Sequence, residues 1–296
     1  MNSPVSPLTP LSTPPPTTST DSSILKGVKV LLEGPTGTGK THAIGTLVDT
    51  GLEVFYLSID SGRESLIGYY TDRQKPVPPN LHWHDMETAD WSFKTMIAAA
   101  ENTTQMTYEA LSRVQDPYKS QYNQYVKLLT ALHDFPDDVT GRKFGDASTW
   151  GTDRVLVLDA LTGINTCVMA MVVGTKPVVS PGEWGVGMQH VEKLIKKFVS
   201  MRCHFVLLAH VEREIDEIAG GLKITVGTLG KKLAPKLPPM FGDVILAQRQ
   251  GSKWCWSTAD SQSDLKARNL PVGEGITPSF GPIIAKWESR GGRRTP

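Results

Sequence analysis

The sequence predicts an α/β fold with a central, mainly parallel sheet flanked by helices. Residues 28–32 form a short β-rich run that ends in a glycine-rich turn, and apolar residues at helical spacing follow it. Gly51 ends that helix and residues 53–59 form the next strand, which completes a β–α–β unit with an expected right-handed crossover. Residues 154–158 are almost continuously apolar, which is typical of a strand buried on both faces of a parallel sheet.

The later elements complete this prediction in chain order. Residues 80–150 combine Trp and Tyr with many Gln, Asn and Asp residues, and they are predicted to form a mainly helical insertion. An amphipathic helix is predicted over 184–201 and a strand over 204–209. Residues 243–248 and 253–258 are predicted to be the two strands of a C-terminal β-hairpin around Gly251.

The ordered domain is expected to span residues 26–288. Residues 1–25 are a Pro/Ser/Thr-rich arm, and such a composition buries too little apolar surface to offset the entropy cost of ordering. The arm is interpreted either as an inert tail or as a segment that docks a partner. Residues 289–296 are basic and contain two glycines, so they are predicted to form a flexible tail.

Composition excludes several classes of protein. The 296 residues carry 31 Lys and Arg against 30 Asp and Glu, so any contact with nucleic acid must be a local patch on a nearly neutral surface. No apolar run approaches the ~18 residues of a membrane span. The 3 cysteines lack a C-x-x-C spacing, which argues against a disulfide framework or a cysteine zinc site. The N-terminus has no secretory pattern, so a cytoplasmic location is expected.

One motif carries the strongest functional signal. The pattern G-x-x-x-x-G-K-[ST] is matched in full by Gly34, Pro35, Thr36, Gly37, Thr38, Gly39, Lys40 and Thr41. It follows a predicted strand and opens a predicted helix, where backbone N–H groups and the helix N-terminus bind phosphate. Lys40 is expected to reach the β- and γ-phosphates of ATP and the Thr41 hydroxyl to ligate Mg²⁺, with His42 beside them in the nucleotide site.

Polar residues follow the other predicted strands of the sheet. Asp159 ends the apolar run 154–158, which is the Walker B form, and it is predicted to share the Mg²⁺ ion with Thr41. Asp60 and Glu64 come directly after the second strand, and either carboxylate is a candidate for orienting the attacking water. His210 ends strand 204–209 and is a candidate for sensing the γ-phosphate.

In this order the motifs resemble the RecA/DnaB-type ATPase core. The resemblance is stronger to the RecA-like ATPases of bacteriophages, some of which are single-strand annealing recombination proteins. It covers residues 26–288 and rests on 34–41, 158–162, 208–210 and 266–271. The resemblance implies a RecA-like P-loop NTPase core in a ring or filament, with His210 as a relay between the γ-phosphate and DNA. It also implies that Lys266 and Arg268 reach the nucleotide of a neighbouring subunit, since alternate residues of a strand share a face.

The segment 218–240 corresponds to the DNA-contacting loop of RecA-like proteins. It carries no Asp or Glu, and its glycines favour mobility. Its cations suit contact with a single-stranded phosphate backbone without sequence preference, and the candidate DNA-binding residues are Lys223, Lys231, Lys232 and Lys236.

The favoured function is therefore an ATP- and Mg²⁺-dependent recombination protein that binds single-stranded DNA and promotes annealing. A single-strand DNA-binding protein is a further expected partner, and the location would be the host cytoplasm if the protein is viral. The alternatives on the same core are a helicase-like motor and a remodelling factor in virus assembly. A small-molecule kinase and a non-enzymatic nucleotide-binding scaffold are the remaining hypotheses.

Overall fold

The computed structural model describes residues 25–60, 62–86, 93–113, 122–174, 176, 178–215 and 220–296. Its strands are β1 (Lys29–Glu33), β2 (Glu53–Ser58), β3 (Leu81–Asp85), β4 (Arg154–Asp159), β5 (His204–Ala209), β6 (Val211–Ile215), β7 (Leu222–Val226), β8 (Asp243–Gln250) and β9 (Lys253–Ser257). Its helices are α1 (Lys40–Val48), α2 (Arg63–Thr71), α3 (Phe93–Thr104), α4 (Tyr108–Arg113), α5 (Gln124–His133), α6 (Leu161–Val173), α7 (Pro181–Ser200) and α8 (Gly281–Ser289). Short 3-10 helices lie at Ala147–Thr149, Ala234–Lys236 and Pro238–Met240.

Seven strands form one sheet in the order β3-β2-β4-β5-β1-β8-β9. All neighbouring pairs are parallel except the C-terminal hairpin β8–β9, which is antiparallel. The predicted α/β class, with a mainly parallel sheet and a C-terminal hairpin, is confirmed. Because β4, β5 and β1 are adjacent and parallel, the residues that end these three strands meet at the same edge of the sheet.

The sheet is covered by helices on both faces. Alternate residues of β1 show the division, since Leu31 packs with α5, α6 and α7 while Val30 and Leu32 pack with α1, α2 and α8. All three side chains are fully buried. Two-sided burial explains why the strand sequences are continuous apolar runs rather than alternating ones.

Residues 80–150 differ from the predicted insertion at their start. They contain α3, α4 and α5, but they open with β3, which pairs in parallel with β2 and forms the edge of the sheet. Polar residues hide this strand in the sequence. His82 is buried, and its Nε2 lies 2.7 Å from the Glu53 carboxylate while its Nδ1 lies 3.5 Å from that of Asp137.

Helix α7 begins earlier than its apolar spacing predicts. The Ser180 hydroxyl accepts a hydrogen bond from the Glu183 N–H, and the Glu183 carboxylate accepts one from the Ser180 N–H. This capping box satisfies N–H groups that the first turn leaves free. The helix therefore starts at Pro181 rather than at Trp184.

The last eight residues, for which the sequence predicts a flexible tail, form hydrogen bonds with the body of the domain although most of them are exposed. The Asp153 N–H donates to the Thr295 carbonyl over 3.1 Å, and the Thr295 N–H donates to the Thr152 hydroxyl over 3.0 Å. Gly292 lies so close to the Trp287 ring that a Cβ on it would be 2.3 Å away. The basic composition of the tail does not reveal these contacts, because most of them are formed by backbone groups, which every residue carries.

Residues 1–24, and with them almost all of the predicted arm, lie outside the described residues. Within the described part of the chain, no helix combines the length and the apolar character that a membrane crossing requires.

The tail contacts predict a measurable contribution to stability. Deleting residues 291–296 removes the partners of Thr152 and Asp153, and hydrogen bonds of this kind contribute about 1 kcal/mol each. We expect the melting temperature of the truncated chain to fall by about 4 °C or more in a calorimetric scan. Arg293→Ala is the control, because it removes an exposed side chain and keeps the backbone carbonyl that accepts from Thr152. Equal melting temperatures of the truncated and native chains would contradict the packed tail.

Candidate active site

The glycine-rich turn between β1 and α1 lies at the carboxyl edge of the sheet. Gly39 has a φ of +78°, and a Cβ at this position would lie 2.6 Å from the Trp254 ring. Only glycine meets both constraints without strain. The turn lines a cavity of about 460 Å³ together with the first turn of α1.

Lys40 is buried at the floor of this turn. Its ammonium donates hydrogen bonds to the carbonyls of Gly34 and Pro35 over 2.7 and 2.9 Å. Burial lowers the pKa of Lys40 to about 8, and the negative charge of Asp159 opposes part of that shift. A phosphate bound at this turn would offer the ammonium charged oxygen acceptors in place of neutral carbonyls. Hydrogen bonds to charged acceptors are the stronger ones.

Thr41 and Asp159 meet directly, as expected for two ligands of one ion. The Thr41 hydroxyl donates to the Asp159 carboxylate over 2.6 Å, and Asp159 is buried. A hydroxyl and a carboxylate are the hard oxygen donors that Mg²⁺ prefers, so this pair fits the ion. Sequence spacing could not establish the contact, because it joins the start of α1 to the end of β4.

Tyr56 is a site residue that sequence reasoning missed. Its hydroxyl donates to the same Asp159 oxygen over 2.7 Å, from a fully buried position on β2. Burial, followed by the charge of Asp159, raises the pKa of Tyr56, so this phenol remains a donor. The only signal in the sequence is a tyrosine within an apolar strand, where a buried hydroxyl needs a partner.

The structure separates the two candidate carboxylates. Asp60 lines the cavity, and burial together with the nearby Asp159 raises the pKa of Asp60. Glu64 is exposed on the first turn of α2 and does not line the cavity. The cavity-lining residues of α2 are instead Ser65 and Gly68.

His210 follows β5 and also lines the cavity. Burial lowers the pKa of His210, and the ammonium of Lys40 adds to this shift. The imidazole is therefore neutral near pH 7 and can both donate and accept a hydrogen bond.

An aromatic wall closes one side of the cavity. Trp254 of β9 donates its indole N–H to the Gly37 carbonyl over 3.1 Å, and the His42 ring lies 4.8 Å from the Trp254 ring. Tyr69 lies 5.0 Å beyond His42, and the Arg73 guanidinium stacks 3.9 Å above Tyr69. The predicted hairpin brings Trp254 here, but sequence reasoning did not place it in the site.

Lys266 and Arg268 lie at the opposite edge of the sheet. They are not on a strand, contrary to the prediction, since Lys266 forms a single bridge with Val244 and the Arg268 N–H donates to the Asp243 carboxylate. Both residues line a separate cavity of about 390 Å³ at the start of β1 and β8. They are thus remote from the phosphate turn of their own chain.

The segment expected to be a mobile cationic loop is structured over residues 220–240. β7 pairs with β6 in a hairpin, and 3-10 helices follow it. Three of its lysines face carboxylates from other parts of the chain, in the pairs Lys223–Asp264 at 3.5 Å, Lys231–Glu214 at 3.8 Å and Lys236–Glu192 at 3.3 Å. The segment has no carboxylate of its own, as the sequence shows, but three of its four lysines are paired with carboxylates from other segments. Its residues 218 and 219 lie outside the described residues.

Lys232 differs from the other three candidate lysines. It is exposed, and no carboxylate in the described part of the chain lies within ion-pair distance of it.

The fold and this cavity define a P-loop nucleoside triphosphatase. A family model described as an AAA domain matches residues 26–268, which is well over half of the chain, so the chain belongs to the AAA domain family. Membership implies nucleotide binding and hydrolysis with Mg²⁺. No curated protein matches the chain.

The geometry predicts different effects for the two carboxylates that the sequence left open. Asp60→Asn should lower the rate of ATP hydrolysis about 100-fold or more, because it removes the carboxylate that is predicted to orient the attacking water. Nucleotide affinity should change little. Glu64→Gln is the matched control and should retain the native rate within about two-fold, given its exposure outside the cavity. Steady-state hydrolysis by both variants tests this, and a large loss only in Glu64→Gln would reverse the assignment.

Proposed function

We propose that this ATPase is a RecA-like recombination protein that binds single-stranded DNA and promotes annealing. One observation carries the proposal. His210 lines the nucleotide cavity, and the β6–β7 hairpin begins at the next residue and closes where the Gly227 N–H donates to the His210 carbonyl over 2.7 Å. A displacement of His210 caused by a change at the γ-phosphate would therefore move the base of the hairpin.

Hydrolysis would use the residues at the carboxyl edge of the sheet. The turn 34–39 and Lys40 would bind the phosphates, and Thr41 and Asp159 would hold the metal. Bound Mg²⁺ would neutralise negative charge that develops on the phosphate during hydrolysis. Asp60 would accept a hydrogen bond from the attacking water, and its raised pKa brings this weak base closer to the operating pH.

DNA contact would involve the hairpin and the segment after it. Lys232 is available for a phosphate. Lys223, Lys231 and Lys236 are each at least 41% exposed in their side chains and pair at 3.3 to 3.8 Å. Exposed pairs of this kind contribute little, so a DNA phosphate can compete for these lysines.

Self-association would complete the nucleotide site in trans. Lys266 and Arg268 line a cavity at the amino edge of the sheet, from which they can meet only the nucleotide of a second subunit. A ring or a filament satisfies this arrangement, because head-to-tail contacts place opposite edges of neighbouring subunits together. A single-strand DNA-binding protein remains a proposed partner.

A second function has an observation in its favour. The pairing of three loop lysines with carboxylates lowers the positive charge that DNA would meet. This favours an ATPase of the same fold that acts as a remodelling factor in virus assembly, whereas a helicase-like motor would have to contact DNA as a recombination protein does.

DNA-stimulated hydrolysis tests the proposal and its coupling residue together. We expect long single-stranded DNA to raise the native ATPase rate several-fold. His210→Ala should keep the basal rate within about five-fold and lose the stimulation, because its side chain links the cavity to the hairpin. Lys232→Gln should weaken DNA binding and flatten its salt dependence.

A native rate that ignores DNA would contradict the recombination proposal and favour a remodelling factor. Full stimulation of His210→Ala would remove His210 from the coupling.

A further inference from the structure

A second cavity lies at the same edge of the sheet, under the β6–β7 hairpin. Its volume is about 410 Å³, and it shares no lining residue with the nucleotide cavity. Its walls come from the end of β1, both strands of the hairpin, the segment 228–238 and Asp264.

Glu33 forms the buried end of this cavity. It is 2% exposed, and its Oε1 accepts a hydrogen bond from the Ser263 hydroxyl over 3.0 Å. Its Oε2 is shielded from solvent and has no hydrogen-bond partner among the described residues. A buried carboxylate oxygen without a partner is costly, so a donor that enters the cavity would be strongly favoured.

The charges around the cavity point to a cation. Glu33, Glu212, Glu214 and Asp264 supply four carboxylates, against the two ammonium groups of Lys223 and Lys231. Those ammonium groups pair with Asp264 and Glu214 at 3.5 and 3.8 Å, on side chains that are 41% and 84% exposed. In the described part of the chain, neither lysine forms an ion pair with Glu33.

The apolar part of the lining favours a guanidinium over an ammonium. Ile224, Val226, Ala234 and Pro235 lie beside the carboxylates. A guanidinium is planar and weakly hydrated, and it presents several donors in a fixed fork, whereas an ammonium is compact and strongly hydrated. A flat cation can therefore contact the apolar wall with its face while its edge donates to several carboxylates.

We propose that this cavity is a binding site for a guanidinium group. The group belongs either to a small free guanidino compound or to an arginine side chain of a second copy of the chain. Glu33 is bonded to Gly34 of the phosphate turn, and Glu212 lies on the strand that follows His210. The occupant therefore contacts residues that neighbour, in sequence, two segments of the nucleotide cavity.

Titration of Glu33 supplies an additional readout. Burial raises the pKa of Glu33 to about 7, the nearby Asp264 adds to this shift, and the Ser263 hydrogen bond opposes it. The other groups that face the cavity are Glu212, Glu214, Lys223 and Lys231. A guanidinium selects the ionised carboxylate, so binding should strengthen as the pH rises through 7 and should release a proton below it.

The test is calorimetric titration of the full chain with agmatine, a guanidinium on a four-carbon amine, at pH 6 and pH 8. Putrescine, which carries an ammonium in place of the guanidinium, is the matched probe. We expect agmatine to bind at least ten-fold more tightly than putrescine and more tightly at pH 8. Glu33→Gln should weaken agmatine binding at least ten-fold, whereas Glu274→Gln, an exposed carboxylate outside the cavity, should not. If Glu33→Gln does not fold, Glu212→Gln decides in its place, with an expected loss of about three-fold or more.

Sedimentation of the same samples distinguishes the two sources of the guanidinium, a free compound and an arginine of a second copy. If the native chain is an oligomer that agmatine dissociates, or that the Glu33→Gln variant fails to form, the occupant is an arginine of a second copy. If agmatine binds without any change in oligomeric state, the occupant is a free guanidino compound. No agmatine binding to the native chain, or equal binding to native chain and Glu33→Gln, overturns the proposal.

Discussion

The hydrogen bond from the Thr41 hydroxyl to the Asp159 carboxylate is the contact on which the site depends. It joins the first turn of α1 to the last residue of β4 over 2.6 Å. In the sheet, β5 separates β4 from β1, the strand that leads into α1. Tyr56 adds a second donor to the same oxygen from β2. The contact requires the observed register, because a slip of one residue would turn Asp159 toward the opposite face of the sheet.

That register is held by apolar burial rather than by the polar groups themselves. The strands are covered by helices on both faces, and residues 155–158 of β4 are fully buried. The same burial sets the electrostatics of the cavity, since it lowers the pKa values of Lys40 and His210 and raises that of Asp60. A bound nucleotide would raise the pKa of Lys40 again, so the apolar core and the affinity for phosphate are linked.

Local patterns made much of this architecture predictable. The phosphate turn, the apolar strand that ends at Asp159 and the hairpin around Gly251 each depend on residues close together in the sequence, where turn chemistry and periodicity act. His210 was predictable because it directly follows an apolar strand. These elements alone define the fold class and the nucleotide edge of the sheet.

The remaining features depend on contacts between distant residues. Strand β3 carries polar side chains that are satisfied only by Glu53 and Asp137, and the tail is fixed by Thr152 and Asp153. Lys223 of the hairpin and the lysines at 231 and 236 after it are paired by carboxylates after β9, on β6 and on α7. Only the folded chain reveals these partners, which is why a cationic loop was predicted where a neutralised hairpin is found.

A double-mutant cycle on the Thr41–Asp159 pair tests the central claim most directly. The affinity for an ATP analogue that is not hydrolysed would be measured with and without Mg²⁺ in Thr41→Val, in Asp159→Asn and in the double variant. If both residues hold one ion, each single variant loses the gain in affinity that Mg²⁺ supplies, and the double variant loses little more, with a coupling free energy of about 1 to 3 kcal/mol. Additive losses, or an undiminished effect of Mg²⁺ in Asp159→Asn, would contradict the account.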